Sequence, residues 1–557
     1  MDTVRAHETG GVTLDLPSNS EENHVVEAKG ASGLRWMRDC LRFAILVTVV
    51  FLLLACRQPA PPDDEIRVAL NSQPLTMDPH YTNEVTSHII HSNIFDTLAE
   101  INPDLTLSPA LAARWNNPDD LTWVFDLTPN VRFQNGDPFT SQDVAFSILR
   151  AKNDPKSDWK GELVAVDRVE TPTPGRVIVR TTHPYPILLN RISSIAIVPR
   201  KYVESHGPSI LEEHPVGTGP YRFVSWDKKK GVLELERSRN YYKEQPELQK
   251  VSFLFVPDHD ERVHGLLSGL IDLVTDTPLE SSVLSKGGTD IKVLEVAGLR
   301  EMFLAFDVKR EHSPYVSTPT NPFLDRRVRL AFFQAINTRW IIDRILGGFA
   351  EEASQFGPPN VFGYDTRLVR PAFDLESAKK LMKEAGYQNG FSVTLDSPDN
   401  AYFCDSAVAD YVAEALRAIH VAVKVNKMDK AALFQKETTH DTSFYMLSWS
   451  SGSGDIQEVF DYLLHTPDPD HGYGQDNGGI YSNPALDSLV SEASRTMDPG
   501  RRLVLLKKAV NMAIQDIPWV PLYVQADLYA LNRRFLWDPP ADRNIRISQV
   551  KRRVDKQ

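Results

Sequence analysis

Pro215-Val216-Gly217-Thr218-Gly219-Pro220-Tyr221-Arg222-Phe223 is the stretch on which the reading of the fold turns. Its glycines admit a positive φ or a close backbone approach, and Pro220 fixes φ. An apolar run follows at once through Tyr221, Phe223, Val224 and Trp226. The local reading is a tight corner that launches a strand. A phosphate cradle is rejected, because no Gly-Lys-Ser/Thr follows and no helix opens.

The chain on either side keeps this rhythm. Downstream come Leu233-Glu234-Leu235-Glu236-Arg237, then Asn240-Tyr241-Tyr242, then the strand pattern Val251-Ser252-Phe253-Leu254-Phe255. A helix follows, ending in Ser268-Gly269-Leu270-Ile271-Asp272. Upstream stands Phe133-Gln134-Asn135-Gly136-Asp137-Pro138-Phe139-Thr140-Ser141-Gln142-Asp143. In this order, and from about Ile66 to Phe535, the blocks resemble the family 5 solute-binding proteins of ABC importers. That group includes oligopeptide-, dipeptide- and nickel-binding proteins.

The resemblance implies an α/β fold of two lobes. This is the type II periplasmic-binding-protein-like arrangement, in the large family 5 variant with an extra subdomain in the first lobe. It places lobe I at 66–300, with the inserted subdomain at about 95–190, and lobe II at 301–520. Residues 521–557 return to lobe I and end in a tail. It also implies a monomer without cofactor, metal or catalytic residue, which passes a small solute to permease subunits and their ATPases.

Composition agrees with a globular chain of this size. With 557 residues, 42% of them hydrophobic, it can bury large cores and should form at least two domains. The formal net charge of −13 argues against nucleic acid and against a broad anionic membrane surface as partner. The three cysteines, Cys40, Cys56 and Cys404, have neither zinc-site spacing nor a disulfide framework, and Cys404 reads as a lone buried thiol.

Residues 1–36 lack apolar periodicity and read as a disordered or over-extended start. Residues 37–55 read as a signal peptide. Arg38 and Arg42 precede an uncharged run from Phe43 to Ala55, which is shorter than the ~20 residues of a membrane span. Leu53-Leu54-Ala55-Cys56 looks like a bacterial lipobox, with Cys56 as the lipid attachment and Leu54 where a small residue is more usual. Pro-rich 56–65 reads as a tether, so the expected location is lipid-anchored on the extracytoplasmic face of a bacterial membrane.

Ile66–Leu70 alternates as a strand, Ser87 to Leu98 reads as a helix, and Leu121–Leu127 as a strand. Thr140 with Asp143 reads as a helix cap, which makes Asp143 a helix-terminus acid rather than a catalytic one. Strands are expected near Arg176–Arg180 and Ile195–Val198. The stretch 392–425 reads strand, helix, strand, hence parallel pairing. The tail from about Trp537 is basic and weakly patterned.

No nucleophile elbow, Walker loop or dinucleotide fingerprint is present. His259 and His264 are five apart, not the four of a zinc protease helix, and His88 with His91 lacks a matched third ligand. The binding segment is Leu447-Ser448-Trp449-Ser450-Ser451-Gly452-Ser453-Gly454-Asp455, an indole beside exposed main chain that suits an extended peptide or a sugar ring. Resemblance to peptide binders implies contacts from Trp449, Ser450, Ser451, Gly452 and Asp455. Across the cleft it implies Asn83, Glu84, Val85 and Thr86, and from the second lobe Tyr402 and Phe403.

One departure matters. Peptide binders carry an acid three residues after the tryptophan to pair with the ligand's ammonium, and Gly452 stands there. Met446 stands where an oligopeptide binder has Arg. Asp455 or Glu84 is the substitute amine partner, or the ligand is a neutral oligosaccharide. A hydrolase and a receptor without transport are the rival readings.

Overall fold

The computed structural model describes residues 64–275, 290–399, 401–470 and 472–553. The expected signal peptide, Cys56 and nearly all of the tether lie outside them. The backbone of this unit is an eleven-stranded sheet. Its order is Ala422–Met428, Ser392–Pro398, Phe444–Ser450, Ile291–Phe306, Trp519–Asn532, Leu273–Thr275, Glu65–Leu70, Lys250–Phe255, Val232–Arg237 and Tyr221–Asp227, with Ala350–Glu352 joining the side of Trp519–Asn532.

Alternation explains the first strand. Ile66, Val68 and Leu70 enter one core, while Ala69 faces a second small cluster with Val263, Leu266 and Val274. Covered on both faces, Glu65–Leu70 pairs parallel with both neighbours, Lys250–Phe255 and Leu273–Thr275. The same holds at the far end. Ser392–Pro398 runs parallel to Ala422–Met428, with the helix Asp405–Leu416 between them in sequence, the pairing expected from 392–425.

Two long antiparallel strands, Ile291–Phe306 and Trp519–Asn532, link the cores. Leu294 packs with Tyr529 and Leu531 in the core of the first strand. Met302, Leu304 and Phe306 pack with Val520 and Leu522 in a second core. On the opposite face Phe303 stacks on Trp519 at 4.5 Å in a third. Between these regions the register shifts from Ala297 to Arg300. A Cβ on Gly298 there would lie 2.2 Å from the Gln525 carbonyl oxygen, so only glycine lets the strands cross so closely.

A second, four-stranded antiparallel sheet holds Ala112–Asp119, Thr122–Leu127, Arg176–Thr181 and Val166–Thr173 in that order. Trp123, Phe125, Val177 and Val179 form its core with Val144 and Ile148 of the helix Ser141–Asn153. That helix starts at a box in which Asp143 accepts from the Thr140 backbone N–H at 2.8 Å.

The glycine corner is a contact point rather than a left-handed turn. A Cβ on Gly217 or Gly219 would come within 2.1 or 2.7 Å of the Ile94 carbonyl oxygen. Gln134 of the upstream block clamps the same place, donating to the carbonyls of Ile94, Gly219 and Tyr221 and accepting from Gly217 N–H at 3.0 Å. The two sequence blocks quoted at the outset are therefore halves of one joint.

Two local expectations are corrected. The helix Val85–Ile94 stops before Leu98, because the Ile94 carbonyl is taken by this joint. The stretch 195–198 is buried but forms no strand, and Val198 N–H donates to Ser147 Oγ instead. The tail is ordered into the first core: Trp537, Ile545, Ile547 and Val550 are buried, and Asn93 holds the main chain at Ile545 and Ile547.

Candidate functional site

Two adjoining chambers lie where the long strands kink. The first, about 390 Å³, is bounded by Glu84, Val85 and Thr86 at the start of the helix Val85–Ile94, by Gln525 to Leu528 and by Ala401, Tyr402 and Phe403. The second, about 350 Å³, is bounded by Asn83, His88, Asn190, Ser450, Gly452 and Ser453. Val85, Arg300 and Arg543 line both, so the chambers meet at these three side chains. Each volume falls in the range of small-ligand sites.

Local chemistry sets the walls. Glu84 caps its helix: its carboxylate accepts from the N–H of Thr86 at 2.8 Å and of Ser87 at 2.9 Å, and from Ser87 Oγ at 3.1 Å. Tyr402 is held through its own N–H, which donates to Asp405 at 2.9 Å. The Arg300 guanidinium covers the Tyr402 ring at 5.1 Å, and the Lys430 ammonium lies 5.6 Å from the same ring centre. Burial holds the Lys430 pKa below its ordinary value, and the charge of Arg300 adds to that.

The second chamber is closed on one side by a chain of contacts. Asn190 Nδ2 donates to the Ser453 carbonyl at 2.9 Å, and Ser453 N–H donates to Glu458 at 3.1 Å. Arg191 sits between Glu162 and Glu458. Burial raises the Glu458 pKa above the ordinary range, opposed chiefly by Arg191. His88 is half-buried, and the desolvation of its ring lowers its pKa below the ordinary histidine value. Among the described residues no group of three His, Cys, Asp or Glu side chains is placed to hold a metal ion.

The structure brings Asn83, Glu84, Val85, Thr86, Tyr402, Phe403, Ser450 and Gly452 to the chambers. Ser451 is buried and lines neither. Trp449 is half-buried, packs on Tyr462 at 5.7 Å against the third core, and stands behind the loop rather than in either wall. Asp455 is a correction. Its carboxylate is buried against Arg502 at 2.5 and 3.0 Å and faces a separate groove, so it is not an amine partner. Glu84 is likewise engaged by its own helix. Cys404 is a free thiol, half-buried rather than buried, at φ 56°.

Sequence reading missed Arg300, Arg543 and Asn190. Arg300 follows Gly298 closely, and that glycine was the available signal for a strand crossing. Arg543, at φ 62° and paired with Asp527 at 3.2 Å, lies in the tail read as basic and weakly patterned.

Bacterial extracellular solute-binding proteins, family 5 Middle, match residues 106–470. The glutathione-binding protein GsiB of Salmonella typhimurium is 25% identical over 478 residues, covering 84% of this chain and 90% of that protein. GsiB of Escherichia coli O1:K1 / APEC is 26% identical over 473 residues, covering 83% and 89%. HbpA2 from Haemophilus parasuis superposes with a TM-score of 0.77 at 22% identity, over 88% of this chain and 100% of that one. The periplasmic binding protein DppA from Helicobacter pylori, in complex with the peptide STSA, gives 0.70 at 24% identity over 88% and 98%.

Proposed function

Because the chain belongs to the bacterial extracellular solute-binding proteins, family 5, which bind and do not catalyse, we propose that it captures peptides for an ABC importer. The observation that carries the reading is the convergence of residues 83–86, Arg300 and 401–403 on two joined chambers of about 390 and 350 Å³. Relatives support the ligand class: GsiB is named for glutathione, a peptide, and DppA was solved with a tetrapeptide.

Two lobes at 66–300 and 301–520 would close over the ligand about the strands Ile291–Phe306 and Trp519–Asn532, with Gly298 at the crossing. A ligand touching both lobes favours closure only by its differential affinity for the closed form. Permease subunits with their ATPases then receive it, and Cys56 carries the lipid that keeps the protein at the membrane.

The test is calorimetric titration with di- to pentapeptides, glutathione and maltotriose, with mass spectrometry of the probes afterwards. A peptide bound at about 1 μM or tighter and recovered intact is the expected result. Binding of maltotriose alone, or turnover of any probe, would overturn it.

A further inference from the structure

Beside the chambers, one side chain crosses from one core into another. The strands Ala99–Ile101 and Leu107–Pro109 pair as a short antiparallel hairpin. Its base belongs to the core of the four-stranded sheet, where Leu98, Ala99, Leu111 and Ala112 are buried and Leu107 packs on them. Its tip does not. Leu105 is buried in the third core with Phe356, Val361 and Ile456, and Ile101 packs on the same cluster. Among the described residues, every other buried side chain of that core comes from Leu299 or later in the chain.

The turn is built to present Leu105. Asn102 N–H donates to the Thr106 carbonyl at 2.8 Å, and Leu105 N–H to the Asn102 carbonyl at 2.9 Å. Asp104 accepts from the Thr106 N–H at 3.1 Å and from its hydroxyl at 2.6 Å. Leu105 itself sits at φ 66°, in the left-handed region that a bulky side chain enters at a cost. Such a conformation persists where its surroundings hold it, and burial of the side chain in the third core supplies that hold.

The seat adjoins the loop that walls the second chamber. A Cβ on Gly454 would lie 3.3 Å from the Leu105 Cβ, so the leucine packs directly on main chain there. The Gly454 carbonyl accepts from the Phe362 N–H at 2.8 Å. Just before it, Ser450, Gly452 and Ser453 line the chamber, as does Ile101 of the hairpin. The exchange also runs the other way: Met497, beyond the helix Pro484–Ala493, packs on the core of the four-stranded sheet.

We propose that Leu105 is a positioning residue for ligand capture. Lining neither chamber, it keys the hairpin 99–109 into the third core at Gly454 and holds the loop 450–455 in the arrangement that encloses the ligand. The premise is the closure proposed above, with the hairpin in lobe I and the third core mainly in lobe II. Removing the key lowers the population of the closed form, and apparent affinity falls by the same fraction.

Small-angle X-ray scattering of the ligand-free protein tests this without a ligand, comparing the wild type with Leu105→Ala and Leu105→Met. Folding is checked by circular dichroism and melting. Leu105→Ala should raise the radius of gyration, and Leu105→Met, which refills the seat, should restore it. Calorimetry with trialanine and glutathione should show Leu105→Ala weakening binding about three- to thirtyfold, with Leu105→Met within about threefold of the wild type. Where Leu105→Ala does not fold, Leu105→Gly, which adopts this φ freely, takes its place with the same outcomes.

Unchanged scattering overturns the proposal, and a lowered melting temperature alone would then mark Leu105 as core packing. Expansion without loss of affinity for a probe that binds the wild type overturns it as well. If neither probe binds the wild type, the peptide reading loses its support and scattering alone decides: expansion in Leu105→Ala upholds the key, and no expansion overturns it.

Discussion

The Asp455 carboxylate is gripped by both terminal nitrogens of the Arg502 guanidinium, at 2.5 and 3.0 Å, with both side chains buried. The pair also holds the loop behind Ser450 to Ser453, because Asp455 accepts from the Gln457 N–H at 2.9 Å. Removing one member of a buried pair strands the other charge, at a cost of about 3–5 kcal/mol. Asp455→Ala should therefore lower the urea midpoint strongly while changing ligand affinity little. Loss of affinity without loss of stability would return Asp455 to the binding site.

Stability should fall as the solution becomes alkaline. Burial pushes the Glu301 carboxyl up to about 8, against the pull of the Gly357 N–H and Arg370. The folded state then holds a proton that the unfolded chain has released, so stability declines between the ordinary glutamate range near 4.5 and about 8. Glu301→Gln should flatten this limb in denaturation curves taken across pH. An unchanged slope would show that Glu301 is not its source.

The acid limb has the opposite sign. Burial lowers His80 to about 4, with Arg150 adding to the effect. The unfolded chain takes up a proton first, so this contribution is lost as pH falls from 6.5 toward 4. His80→Gln should reduce the steepness of acid unfolding over that window. A curve that keeps its steepness would assign the limb to other groups.

Asn190 and Ser453 are 263 residues apart and joined by one neutral hydrogen bond. Such bonds contribute about 0.5–1.5 kcal/mol. If the lobes close by this contact, Asn190→Ala should weaken ligand binding about two- to tenfold and raise the radius of gyration of the liganded protein in X-ray scattering. Unchanged scattering with unchanged affinity would remove the contact from closure.

Cys56→Ser should release the protein from the membrane fraction, since a thiol is needed for acylation and stable anchoring needs more than one chain. Retention after a high-salt wash would assign the anchor to another segment.

Much of the fold was legible because its signals are local. Alternation at Ile66 to Leu70, the Thr140 and Asp143 box and the Gly-Thr-Gly corner each act within a few residues. What escaped depends on partners distant in sequence. The end of the helix at Ile94 is set by Gln134 and Gly219, and the tail is ordered by Asn93. In the site, backbone-rich segments such as 83–86 were recognisable as blocks. Arg300 and Arg543 were not, since one arginine in a strand and one in a loop carry no pattern until the fold brings them together.

Native mass spectrometry of the protein purified from its own host tests the central claim most directly. The account predicts an adduct that leaves on denaturation and has the mass and fragments of a short peptide. An adduct that fragments as a neutral oligosaccharide would contradict it.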